Sequence, residues 1–184
     1  MSTKETALEI KTFGAPVLRQ KAKPVIQVTE EHRDILSKMA GAMYESAGIG
    51  LAASQIGFNE AMIVADIGSG LYKFINPQII KRQGSQENQE GCLSVPGVCI
   101  KIKRSRNVIV KAQDEYAKPV TVSAEGLLAC VLQHEIDHLK GKLIVDYASF
   151  IDKIKIGKKL KELKKQSQDE KLPQPKTKSY RLQL

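Results

Sequence analysis

No stretch of the 184-residue chain approaches the ~18 apolar residues that a bilayer span needs. The opening residues, MSTKETALEI, hold neither a continuous apolar run nor a small-residue cleavage pattern. No secretory signal is read there, and a cytoplasmic location is expected. Cysteine is scarce: Cys92, Cys99 and Cys130 are an odd set without framework spacing. That argues against a disulfide scaffold and leaves buried thiols or metal ligands. Histidine is equally scarce, with three. No internal repeat is present. No phosphate loop is present either, because GIGLAASQIG has Ala53 where G-x-G-x-x-G needs a glycine and no G-K-[ST] follows.

What is present is charge, unevenly placed. Residues 151–184 carry eleven Lys/Arg against four Asp/Glu, so +7 of the net +9 sits there and the first 150 residues hold only +2. A near-neutral body with a basic end points to an acidic partner for that end, not to a nucleic-acid surface over the whole protein. One catalytic domain over 1–165 and a flexible basic tail over 166–184 are expected, since SQDEKLPQPKTKSYRLQL is polar with two prolines.

A helix is predicted from Thr29, a natural N-cap, with Ile35, Leu36, Met39 and Met43 as its apolar stripe and Gly48 as its stop. Residues 61–114 read as strands: AMIVADI, YKFINPQII, VCIKIK and KRSRNVIVKAQD alternate or run apolar between turn residues. PVTVSA is one more. A second, largely buried helix is predicted over about Glu125–Leu139, with Ser123 as cap and Gly141 as stop. A last helix starts near Phe150. It carries Ile156, Leu160 and Leu163 on one face and Phe150, Ile151 and Ile154 on another, with Gly157 at the switch. The fold class is α+β: mixed or antiparallel sheets around a central helix carrying H-E-x-x-H, plus a C-terminal helix.

The central helix holds QHEIDHLKG. Residues four apart share a helix face, so His134 and His138 can reach one ion, with Glu135 placed as a base for an activated water. The competing account is two hydrogen-bonded histidines beside an exposed glutamate. A catalytic site usually needs a third ligand. The extended pattern with a third histidine fails, because Ile144 stands at its last position. Glu162 and Glu170 lie in the charge-rich end, and His32 reads as a surface group. Cys130 is eight residues, ~12 Å of helix, from His138, too far for both to grip one ion. By elimination Cys92, in QEGCLSVPG on an expected extended segment, is the best third ligand.

Three segments in order, GIGLAASQIG (48–57), EGCLSVP (90–96) and QHEIDHLKG (133–141), resemble the motifs of the peptide deformylase family over roughly residues 8–165. The resemblance implies removal of the N-formyl group from the initiator methionine of newly made polypeptides, with release of formate. It implies one metal ion held by Cys92, His134 and His138: ferrous iron first, with zinc, nickel or cobalt able to take its place. It implies Glu135 as acid and base, and Gln55 and the Leu93 backbone N–H as donors to the developing oxyanion. It also implies that Ile49 and Gly50 line a groove that pairs with the peptide.

From the residues, Gly50 suits close approach of another backbone. Ile49, Leu127 and Val131 are candidates for the methionine pocket, with plain core packing as the other account. Glu90 and Asp137 are candidates for holding ligands in place, against a surface salt bridge for Asp137. Cys99 stands where the resemblance implies a larger polar or aromatic residue, so substrate contacts are not carried over to it. The expected partners are formyl-methionyl nascent peptides and, through the basic end, the ribosome; the other account of that end is a solvated charged tail. No membrane and no DNA contact is expected. A metal endopeptidase and a non-catalytic RNA-binding protein are the competing functions. The missing third histidine and EGCLSVP weigh against the first, and the complete set of reactive residues against the second.

Overall fold

The computed structural model describes residues 8–169. Its first helix, α1 (Glu30–Glu45), starts where Thr29 caps it, as predicted. The cap is reciprocal: the Thr29 N–H donates to Nδ1 of His32 (3.1 Å), whose Nε2 lies 2.8 Å from Glu60. His32 is therefore not the surface group expected; its side chain is only 12 % exposed and serves the helix start. The helix stops at Ser46 and Ala47, the latter in the left-handed region (φ 52°), before Gly48 is reached.

Seven strands follow: β1 (Gly50–Ala52), β2 (Met62–Ala65), β3 (Tyr72–Gln83), β4 (Gln86–Gly91), β5 (Cys99–Arg104), β6 (Asn107–Gln113) and β7 (Pro119–Glu125). Five form one antiparallel sheet in the order β1-β2-β3-β6-β7, and β4 and β5 form a separate hairpin. PVTVSA is thus β7, and Ser123 lies inside it. Glu125, not Ser123, is the N-cap of the central helix α2 (Gly126–His138), and no side-chain hydrogen bond caps it. The helix is held by burial instead: Leu128, Leu132 and Ile136 pack on Ile63, Phe74, Val108 and Val110 of the sheet. An amphipathic face against a sheet outweighs a missing cap, because packing supplies most helix stability in a folded chain.

Two further cores flank this one. Leu36, Met39 and Met43 of α1 meet Leu51, Met62, Val64 and Ile75. The inward residues of β5, Ile100 and Ile102, meet Val95, Leu143, Ile144 and Leu163. Leu163 belongs to α3 (Phe150–Asp169), which is assigned as continuous through Gly157. Its two apolar faces separate as predicted: Ile156 and Leu160 pack inward, whereas Phe150, Ile151 and Ile154 are exposed. The tail beyond Asp169 lies outside the described residues. No described helix is long and apolar enough to cross a membrane.

Candidate metal centre

The site lies at the C-terminal half of α2. There His134 and His138 face the loop that joins β4 to β5, and the first residue of that loop is Cys92. Cys92 is not on an extended strand as expected; the strand is β4, immediately before it. Cys92 Sγ lies 3.3 Å from His138 Nε2, which lies 3.3 Å from His134 Nε2. All three donor atoms fall within 4.8 Å of one another. Ligand bonds of ~2.0–2.3 Å in tetrahedral array put donors about 3.3–3.6 Å apart, so this set fits one ion. Among the described residues it is the only such group of three. Cys130 is not in it, in keeping with the helix-length argument.

Neighbouring groups prepare the donors. His134 Nδ1 donates to Glu90 Oε2 (2.9 Å), which leaves Nε2 to face Cys92 and His138. Burial opposes charge on His134, but hydrogen bonds with Cys92 and Glu90, aided by the charge of Glu135, lift its pKa to about 10, so a metal ion must displace the Nε2 proton to be held there. Burial pushes His138 well below the ordinary histidine value, so it is neutral and its nitrogen is free to ligate. Glu90 is itself fixed by Arg104, whose Nε and Nη2 donate to its two carboxylate oxygens at 2.6 and 2.9 Å. Burial resists ionisation of Glu90, yet the Arg104 guanidinium and His134 bring its pKa down to about 2. Arg104 Nη1 also donates to Asp137 Oδ2 (2.6 Å), which accepts a second bond from the Tyr147 hydroxyl (2.6 Å). Asp137 is therefore part of a half-buried network that braces α2 against β5, and not a surface salt bridge.

Glu135 is 4 % exposed, and its Oε2 is buried without a hydrogen-bond partner among the described residues. Burial raises its pKa to about 7, where a carboxyl can both take and give a proton near neutrality. Gly50 makes room for it. A Cβ at residue 50 would collide with the Glu135 carboxylate and come within 2.9 Å of Val131 Cγ1. The close approach read from Gly50 is thus by a side chain of the protein itself.

Gln55 is buried in the short 3-10 turn after β1. Its Oε1 accepts the Ala52 N–H (2.8 Å), which aims Nε2 toward Ser94 Oγ (3.1 Å) and Cys92 Sγ (3.8 Å). The Leu93 N–H makes no hydrogen bond among the described residues. A cleft of about 540 Å³ opens over these groups and is lined by Ile49, Gly50, Gln55, Leu93, Leu127 and Val131, among others. All four residues put forward for substrate contact therefore reach one cavity. Val131 is buried, while Ile49 and Leu127 are exposed at 44 % and 53 %.

Sequence reasoning missed Arg104, Ser94 and Tyr147. Arg104 had a signal: it follows Ile100 and Ile102 at the next inward position of an alternating strand. A charge there needs buried partners.

The sequence profile of the Polypeptide deformylase family matches residues 7–154. A peptide deformylase from Carboxydothermus hydrogenoformans is 46 % identical over 139 residues, covering 76 % of this chain and 91 % of the relative. The crystal structure of a peptide deformylase from Legionella pneumophila superposes with a TM-score of 0.82 at 38 % identity, covering 91 % of this chain and 100 % of that one. That of the peptide deformylase from Thermus thermophilus gives 0.83 at 34 % identity, with coverage of 86 % and 98 %. The chain belongs to the polypeptide deformylase family.

Proposed function

We propose that the protein hydrolyses the N-formyl group from the terminal methionine of newly made polypeptides, releasing formate. One observation carries the reading: a cysteine and two histidine donors converge at 3.3 Å spacings beside a buried, unpaired glutamate at the floor of an open cleft. Cys92, His134 and His138 hold one divalent metal ion, which when bound supplies Lewis-acid activation of water and of the formyl group. Glu135 takes the proton of the attacking water on a carboxylate oxygen. It then delivers that proton to the amine nitrogen as the formyl C–N bond breaks. Gln55 Nε2 and the Leu93 N–H donate to the formyl oxygen as negative charge builds there; the loss of one such donor typically costs ~3 kcal/mol in the barrier.

The peptide is placed by β1. Ile49 faces β2, since its carbonyl accepts the Asp66 N–H (3.0 Å). Alternation along the strand turns Gly50 and Ala52 to the other side. Gln55 already occupies the Ala52 N–H, so Gly50 presents its peptide groups to the cleft. An extended substrate adds there as a strand, with Ile49, Leu127 and Val131 around its first side chain.

Ferrous iron is the ion we assign, with zinc, nickel or cobalt as ions that the same thiolate and imidazole donors accept. Protein purified without oxygen and loaded with ferrous iron is expected to release formate from a short formyl-methionyl peptide and to lose that activity in air. Full aerobic stability would count against iron, and no formate from a metal-loaded sample would count against the reaction.

The basic end is assigned to ribosomal RNA. On α3, Lys158, Lys161 and Lys165 are exposed at helical spacing. Phosphate contacts make binding steeply salt-dependent. Reversing these three lysines to glutamate is expected to abolish ribosome cosedimentation at low salt and leave peptide turnover intact. Unchanged cosedimentation would remove the assignment.

A further inference from the structure

One wall of the cleft is polar where a methionine pocket calls for apolar lining. Asn88 and Cys130 both line it. Asn88 lies on the same face of β4 as Glu90, two residues and about 6.6 Å away along the strand. Cys130 lies one turn of α2 before His134. Both therefore stand about one side-chain length from the metal donors, within reach of the far end of a first side chain that enters the cleft. The Cys130 thiol donates to Glu90 Oε1 (3.1 Å). Its proton is thereby committed, and its sulfur faces Asn88. The Asn88 Nδ2 is fully buried, and among the described residues its one partner is the Cys130 sulfur, a weak acceptor held outside regular hydrogen-bond geometry. The cleft thus holds a buried amide donor without a strong partner, and such a donor favours a ligand that brings an acceptor oxygen.

We propose that Asn88, backed by Cys130, forms a polar end to the side-chain pocket and lets the protein deformylate peptides that begin with formyl-methionine sulfoxide as well as formyl-methionine. The inference rests on the functional reading above. The sulfoxide oxygen is a far stronger acceptor than a thioether sulfur and sits at the same distance along the side chain. In an all-apolar pocket it would be buried unpaired and rejected; here it is paired once the Asn88 amide turns from the Cys130 sulfur toward the cleft, which exposes the Nδ2 that is now covered. The reaction is unchanged: water adds to the formyl carbon, the C–N bond breaks, and the sulfoxide is neither reduced nor consumed.

The test compares kcat/KM of the metal-loaded protein on three peptides, starting with formyl-methionine, formyl-methionine sulfoxide and formyl-norleucine. The sulfoxide peptide is expected within roughly tenfold of the methionine peptide; a lower rate overturns the inference. In Asn88→Leu, the sulfoxide-to-norleucine ratio is expected to fall by at least roughly tenfold, equivalent to about 1.4 kcal/mol. A smaller change overturns it as well. Norleucine turnover in the same sample reports that the variant is folded. Asn88→Ser, which shortens the donor, is expected to move the ratio in the same direction should the leucine variant fail to fold. Failure on the sulfoxide alone sinks this inference only, whereas failure on every formyl peptide sinks the functional reading with it.

Discussion

Glu135→Gln is expected to lower formate release by roughly 10²–10⁴-fold while one metal ion per chain is retained. Glutamine keeps the shape that Gly50 and Val131 accommodate, so the cleft is preserved and only the proton acceptor is lost. The metal donors come from Cys92, His134 and His138, and none of them is hydrogen-bonded to Glu135 among the described residues. Metal content is therefore expected to be normal. Turnover and bound metal should be measured on the same sample. A variant that keeps its metal and loses less than about tenfold in rate would show that another group moves the proton. A variant that loses its metal would show that Glu135 supports the ligand histidines and not the chemistry.

The second large effect is expected at Arg104. Arg104→Met removes the shared partner of Glu90 and Asp137 and leaves two carboxylates facing each other in a site where Glu90 is 7 % exposed. Breaking a buried pair from one side typically costs ~3–5 kcal/mol. For a chain of this size that is a fall in Tm of about 6–20 °C. The loss has a direction in pH as well. Glu90 is held near 2 when folded, against an ordinary value of 4.5. The wild-type contribution of Arg104 is thus fully present above about 4.5 and fades as pH falls toward 2. The stability gap between wild type and variant should narrow over that window. A gap that stays constant from neutral pH down to 2, or a Tm within a degree or two of wild type, would show that Glu90 and Asp137 find other partners. Adding Glu90→Gln to the variant is expected to recover part of the loss, because one of the stranded charges is then gone.

The site was more legible in the sequence than the fold around it. His134, Glu135 and His138 are local to one helix, and helix geometry alone places them. Cys92 followed by elimination because histidine and cysteine are few in this chain. The β4 strand was not legible: QENQEG has no apolar alternation, since its inward face is Asn88 and Glu90, which meet Cys130, Arg104 and His134 instead of a hydrophobic core. The same blindness hid Arg104, whose partners come from β4 and α2. A polar residue turned inward looks like a surface residue until the other elements are in place. The start of α2 was misplaced for a different reason. Ser123 is a good cap by type, but β7 pairing with β6 continues through Asn107↔Glu125 and holds it in the strand.

Strand β1 also bears on how the protein behaves in a crowded solution. An open sheet edge is a template on which other chains can build, and long flat edges lead to aggregates. Here the edge is three residues long. It is preceded by the α1 turn and followed at once by the 3-10 turn that carries Gln55, which takes up the Ala52 N–H. What remains is enough for the backbone of one short, unfolded segment and too little to seed a second sheet.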